Sequence, residues 1–132
     1  MTTHILMVDD EPDAQELFRQ NFRREIRDGV YAFDFALSGE AALDMLRGET
    51  PPKVVMVLSD INMPGMSGIE LLAEIRRTWP EVSVFMITAY GDSSTEDQSK
   101  QLGAERFLTK PVDFGLLKQD LAQILEAVGQ SR

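Results

Sequence analysis

The sequence predicts an α/β fold: a five-stranded parallel sheet covered by helices on both faces. Five short apolar segments alternate with five amphipathic stretches of helical length, the pattern of successive βαβ units. The middle segment, "VVMVL" at 54–58, runs without polar alternation, as a strand buried on both faces does. It then stops at Ser59 and Asp60, and Pro64, Gly65 and Gly68 keep the next stretch irregular. Asp60 therefore falls at the carboxyl end of a central strand, where open α/β sheets place their chemistry.

The strands are read at "HILMV", "YAFDFA", "VVMVL", "VSVFMIT" and "RFLT". The first helix spans 12–27, with Pro12 in its first turn, Leu17, Phe18, Phe22 and Ile26 on one face, and a stop near Gly29. Ser38 and Glu40 open the second, which carries Ala41, Ala42, Leu43, Met45 and Leu46 and ends at Gly48. The third, about 67–78, presents Ile69, Leu71, Leu72 and Ile75 and stops ahead of Pro80, which disfavours helical geometry in the residue before it. The fourth, "SSTEDQSKQLG" at 93–103, has almost no apolar stripe and should be loosely held. The last begins near Asp113 and carries Phe114, Leu116, Leu117, Leu121, Ile124, Leu125 and Val128. One domain over 1–128 accounts for everything, and 129–132, "GQSR", reads as a frayed end or the start of a linker.

Composition narrows the function classes. With 22 acidic against 13 basic residues and a net charge of −9, the chain lacks the clustered cations that nucleic acid or an anionic membrane requires. Absence of cysteine excludes disulfides and thiolate metal sites. No apolar run reaches the length of a bilayer span and no secretory leader is evident, so a cytoplasmic location is expected. Arg19, Arg23, Arg24 and Arg27, at helical spacing, are read as a solvated face.

Right-handed crossovers bring the strand ends to one edge of the sheet. Asp9, Asp10 and Asp60 gather there, with Thr88 and Lys110. Three carboxylates in one pocket repel each other, and a cation removes that cost. Oxygen donors without His or Cys suit Mg²⁺, which takes few carboxylates and completes its shell with water and phosphate oxygens. Lys110, aimed by Pro111, is expected to pair with Asp60 or with an oxyanion attached to it. A carboxylate can attack phosphorus to form an aspartyl phosphate, and a metal with a lysine stabilises the charge on the transferring group.

The strings "ILMVDDEP", "LSDINMPGMSG", "MITAY" and "FLTKP", in this order and spacing, resemble the response-regulator receiver domain of two-component signalling over nearly the whole chain. The resemblance implies a flavodoxin-like (βα)5 three-layer sandwich with strand order 2-1-3-4-5. It implies Asp60 as phosphoacceptor, charged from a phosphohistidine of a sensor histidine kinase or histidine phosphotransfer protein. Asp10, Asp60 and the main-chain carbonyl of Asn62 would hold Mg²⁺, with Asp9 acting through water. Thr88 and the Ala89 amide would bind phosphoryl oxygens, Lys110 would pair with them, and the Lys110–Pro111 bond would be cis. Thr88 and Phe107 would form the switch, shifting the face made by the fourth helix, fifth strand and last helix. No enzyme activity beyond autophosphotransfer and autodephosphorylation is implied, and an output domain, a partner protein or a phosphorylation-dependent homodimer would carry the signal.

Two other classes compete. A haloacid-dehalogenase-like phosphatase also uses an aspartyl phosphate, but it needs a second acid two residues after the nucleophile, where this chain has Asn62. A flavin carrier of the same fold would need a Ser/Thr-rich phosphate loop after the first strand, where this chain has "DDEP". A phosphate-independent interaction module remains the alternative. By the same resemblance, Asn62 and Tyr90 flank the path of the hydrolytic water and tune the lifetime of the phosphorylated state. Tyr90→Ala should therefore speed decay of the phosphorylated protein, and equal or slower decay would contradict the reading.

Overall fold

The computed structural model describes residues 2–48, 54–89 and 93–130. The strands are β1 (Thr3–Val8), β2 (Tyr31–Ala36), β3 (Val54–Asp60), β4 (Ser83–Thr88) and β5 (Arg106–Thr109). The helices are α1 (Pro12–Asn21), α2 (Arg23–Arg27), α3 (Gly39–Arg47), α4 (Gly68–Thr78), α5 (Ser93–Gln101) and α6 (Phe114–Gln130). The strands form one sheet in the order β2-β1-β3-β4-β5, as the resemblance implied, with every pair parallel, as the sequence pattern predicted.

Strand pleating sorts the apolar residues into two layers, because successive side chains point to opposite faces. Leu6, Val8, Val57, Val84 and Met86 face α3 and α4, where Leu43, Leu46, Leu71, Leu72 and Ile75 cover them. Their neighbours Ile5, Met7, Met56, Leu58, Phe85 and Ile87 face Phe18, Phe22, Leu117 and Leu121 of the α1 and α6 layer. Residues 5–8, 54–58 and 84–87 therefore look continuously apolar because each strand fills two cores. β5, at the sheet edge, is only half-buried at Arg106, Phe107 and Leu108.

The predicted first helix is two helices. Phe22 leaves helical geometry at φ −105°, ψ 14°, and caps both α1 and α2. Just before the break, the Asn21 side-chain amide donates to the Leu17 carbonyl at 2.9 Å, in competition with the backbone bond of the helix. The turn drives the Phe22 ring fully into the core, 4.9 Å from Phe33 and about 6 Å from Phe18, Tyr31 and Phe114. Phe18 and Phe22, four apart, form the buried stripe, whereas Leu17 and Ile26, expected on it, are 49% and 37% exposed. Met45 and Leu116, also counted as core, are exposed as well. A helix laid on a twisted sheet buries only the side chains directly beneath it, so these flanking positions remain in water.

The remaining boundaries agree closely with expectation. α5 has the polar sequence predicted for the fourth helix, and its buried Ser99 hydroxyl donates to the Thr95 carbonyl at 2.9 Å. α6 runs through Gln130, past the expected end of the domain at 128. α4 starts with a capping box: Ser67 Oγ accepts from the Glu70 amide at 3.2 Å, and the Ser67 amide donates to Glu70 Oε1 at 3.1 Å. Gly68 sits directly against the end of β3, where an added Cβ would come within 2.1 Å of the Asp60 carbonyl oxygen.

α2 is tied to α6 by Lys118, whose Nζ lies 2.9 Å from Glu25 and 5.2 Å from the centre of the Phe22 ring. Burial works against the Glu25 charge, but the hydrogen bond and charge of Lys118 outweigh it and hold the carboxyl below its ordinary value. The stability this pair adds is present above the ordinary carboxyl value of 4.5 and is lost as pH falls through the lowered folded value. Lys118→Met should remove that acid-dependent part, under about 1 kcal/mol for a partly exposed pair, measured by urea unfolding between pH 3 and pH 7. In the same assay, Phe22→Ala should cost about 4 kcal/mol and Leu17→Ala under about 1 kcal/mol. Gly68→Ala should cost about 3 kcal/mol, because backbone atoms must move to admit its methyl group.

Candidate functional site

Parallel register brings the carboxyl ends of β1, β3, β4 and β5 together, since Val8 is level with Ser59, Asp60 with Ile87, and Thr88 with Thr109. Asp9, Asp60 and Thr88 lie nearly out of water at 1%, 6% and 0% exposure, and Asp10 is half-buried. Asp9 and Asp10 follow β1 directly, ahead of α1, and the Glu11 amide donates to Asp9 Oδ1 at 2.9 Å. One oxygen from each of Asp9, Asp10 and Asp60 lies within 4.8 Å of the other two.

Lys110 reaches into this group from the end of β5. Its amide donates to the Thr88 carbonyl at 2.8 Å, which fixes the residue beyond the end of β4. Its Nζ donates to Asp60 Oδ2 at 3.0 Å and to Asp9 Oδ2 at 3.2 Å. The Lys110–Pro111 bond is cis, as the resemblance implied. The pairing with Asp60 was expected, whereas the second bond, to Asp9, was not. Burial alone would lower the lysine's pKa, but the hydrogen bond and charge of Asp60, joined by those of Asp9, raise it above its ordinary value. Burial pushes the Asp9 carboxyl up, with the Glu11 amide and Lys110 pulling the other way.

Asn62 ties the following loop to the site. Its main-chain amide donates to Asp60 Oδ1 at 3.1 Å, and its side-chain amide donates to Thr88 Oγ1 at 3.3 Å. The Ile61 amide donates to the Ile87 carbonyl, which joins the loop to the end of β4. Ala89 is exposed just past β4, and Phe107, three residues before Lys110, packs half-buried against the α3 and α4 layer. Tyr90 lies outside the described residues. The sequence reading did not single out Gly68 as a site residue or Ser67 and Glu70 as a cap, although "SGIE" at 67–70 has the serine-to-glutamate spacing of a capping box.

The donor set fits a hard divalent cation. Three carboxylates share one mouth, and a single ammonium offsets only part of their charge. All are oxygen donors, and no His or Cys stands among them, which suits Mg²⁺ better than a softer metal. Among the described residues, no helix is long and apolar enough to cross a membrane.

Comparison with known proteins agrees with this geometry. The family model for the response regulator receiver domain matches residues 5–122. Sporulation initiation phosphotransferase F of Bacillus subtilis is 34% identical over 125 residues, which cover 95% of this chain and 95% of that protein. The transcriptional regulatory protein GlrR of Escherichia coli K12 is 37% identical over 123 residues, 93% of this chain, and the match takes in only 26% of GlrR. The chain thus spans about a quarter of the length of several longer curated relatives. Among solved structures, the CheY-like receiver domain protein of Methanospirillum hungatei superposes with TM-score 0.88 at 24% identity, each chain covered completely, a likeness of fold. The response regulator TrrA of Thermotoga maritima, solved in complex with Mg²⁺ and BeF, superposes with TM-score 0.75 at 32% identity over 92% of this chain and 97% of that one. The acidic pocket with its crossing lysine and the match over residues 5–122 together place this chain in the response regulator receiver domain family.

Proposed function

We propose that the chain is a phosphoacceptor signalling switch in which Asp60 takes a phosphoryl group from a phosphohistidine of a sensor histidine kinase or histidine phosphotransfer protein. The observation that carries this reading is the double contact of Lys110 Nζ with Asp60 and Asp9, because it sets a cation beside the attacking oxygen before any phosphate arrives. Asp60 Oδ forms the new bond to phosphorus as the P–N bond to the donor imidazole breaks, its electron pair staying on that nitrogen. Asp10, Asp60 and the Asn62 carbonyl would hold Mg²⁺, with Asp9 acting through water. When bound, the metal neutralises charge on the transferring phosphoryl oxygens. Lys110 stays with the group as a counter-charge, and the Thr88 hydroxyl and the Ala89 amide donate to its oxygens. Water later attacks phosphorus and releases inorganic phosphate from the Asp60 carboxylate, at a rate set by how far Asn62 and Tyr90 open its path. The chemistry is confined to this autophosphotransfer and autodephosphorylation.

A groove of about 550 Å³ between α1 and the segment from Lys110 to Phe114 supports delivery from a partner protein. Leu17, Phe18, Pro111, Val112 and Phe114 line it, and it opens beside Asp9 and Lys110, so an apolar surface next to a phosphohistidine fits it. The half-exposed Leu17 belongs to this groove rather than to the core.

Signal output follows from contacts that differ between two states. Thr88 gives up its bond from Asn62 to reach the phosphoryl group, and Phe107 repacks in the space this opens. A phenylalanine has no hydroxyl, so packing alone separates its two positions. The face carrying the change is α5, β5 and α6, and α5 is the element with the thinnest apolar stripe, so it moves at least cost. An output domain, a partner protein or a second copy of the chain reads that face in the cytoplasm.

Intact mass after incubation with Mg²⁺ and acetyl phosphate tests the reading. One base-labile phosphoryl adduct is expected, absent from Asp60→Asn and from metal-free protein. Lys110→Ala should slow its formation by about 10²-fold, the effect of losing one donor to developing charge. No adduct under conditions that label another receiver would leave a phosphate-independent interaction module.

A further inference from the structure

The loop that follows Asp60 is anchored at its far side by α3, a helix that contributes no side chain to the acidic pocket. Met66, four residues beyond Asn62, donates its amide to Glu40 Oε1 at 3.2 Å, across 26 residues of sequence. Its side chain lies over Gly39, where an added Cβ would come within 3.0 Å of Met66 Cγ and Sδ. Gly65, between them, has φ +73°, and an added Cβ there would stand 3.1 Å from Glu40 Oε2. Backbone conformation thus favours glycine at 65. The loop's two ends are joined separately, by the Gly68 amide donating to the Ile61 carbonyl at 2.8 Å. Between these two fixed points Asn62 bonds Asp60 and Thr88, and the Met63 side chain is buried in the core beside α3 and α4.

We propose that Glu40 is a positioning residue of the phosphoacceptor site, anchoring the β3–α4 loop to α3 and so setting where the Asn62 carbonyl stands for Mg²⁺. The metal role of Asn62 rests on the function proposed above, whereas the anchor rests on the Glu40 contacts themselves. The anchor needs an oxygen acceptor at this position rather than a charge, since the Met66 amide is the donor. Partners that hold a metal ligand in place typically affect metal affinity without touching the metal. A plainer role for Glu40 is that of an acidic residue in the first turn of α3, favoured by the helix dipole. The two roles separate at Glu40→Gln, which keeps the oxygen acceptor for Met66 and removes the charge.

The test reads amide hydrogen exchange at Met66 in metal-free protein and, separately, Mg²⁺ affinity from an NMR titration of the Asn62 amide signal. Glu40→Ala should speed Met66 exchange about fivefold and weaken Mg²⁺ binding about fivefold, while Glu40→Gln stays within about twofold of the parent in both. Asp44→Ala, on the exposed face of α3, should change neither. Unchanged exchange in Glu40→Ala, or faster exchange with unchanged Mg²⁺ affinity, would overturn the proposal, as would a Gln variant that behaves like Ala. Neither measurement needs phosphoryl transfer, so a chain that binds Mg²⁺ but forms no adduct would refute the proposed function and still decide the role of Glu40.

Discussion

Two carboxylates that water scarcely reaches, Asp9 and Asp60, share one ammonium at the end of the sheet, and much of the molecule is arranged around that imbalance. Buried like charges are costly, and removing one member of such a group leaves the others uncompensated. Parallel pairing puts the ends of β1 and β3 side by side, which brings the carboxylates together. Lys110 directly follows β5, which is separated from β3 by β4, so its side chain must span the end of β4 to arrive. Its amide bond to the Thr88 carbonyl fixes the start of that crossing. The pocket still carries more negative than positive charge, which is the physical reason it suits a divalent cation and, through the cation, a phosphoryl group.

The two sides of the sheet are built differently. Opposite α3 and α4, the α1 and α6 layer is locked by interleaved rings around Phe22, and Phe18 meets Phe114 edge-on at 5.0 Å. Such packing resists small displacements, since dense cores lose contacts when any element shifts. At the β5 edge the packing thins: every residue of that strand is partly or wholly exposed, and α5 is mostly polar. Packing around the end of β4 is therefore thinner toward α5 and β5 than toward α1.

The loop between Asp60 and α4 links the two regimes. Gly68 packs against the Asp60 carbonyl so closely that a side chain cannot fit, and the capping box stiffens the start of α4 just beyond it. Asn62 bonds Asp60 through its main chain and Thr88 through its side chain, so the tip of β3 and the tip of β4 are held by one residue.

Much of this was legible in the sequence, for a definite reason. Apolar runs of strand length, alternating with helical stripes, report burial on two faces, and a parallel sheet requires that pattern. Asp9, Asp10, Asp60, Thr88 and Lys110 each stand at the end of such a run, so their meeting at one edge follows once the strands are parallel. What the linear pattern could not reveal depends on which of several apolar residues the tertiary packing accepts. Leu17 and Phe18 are neighbours of similar hydrophobicity, yet only Phe18 lies over the sheet, and the chain leaves helical geometry at Phe22 to bury its ring. The bond from Lys110 to Asp9 joins residues 101 apart, and that from Met66 to Glu40 joins residues 26 apart. Neither leaves a local trace, because sequence periodicity records how a segment meets the core, whereas long-range polar partners are chosen only when the strands and loops are already in place.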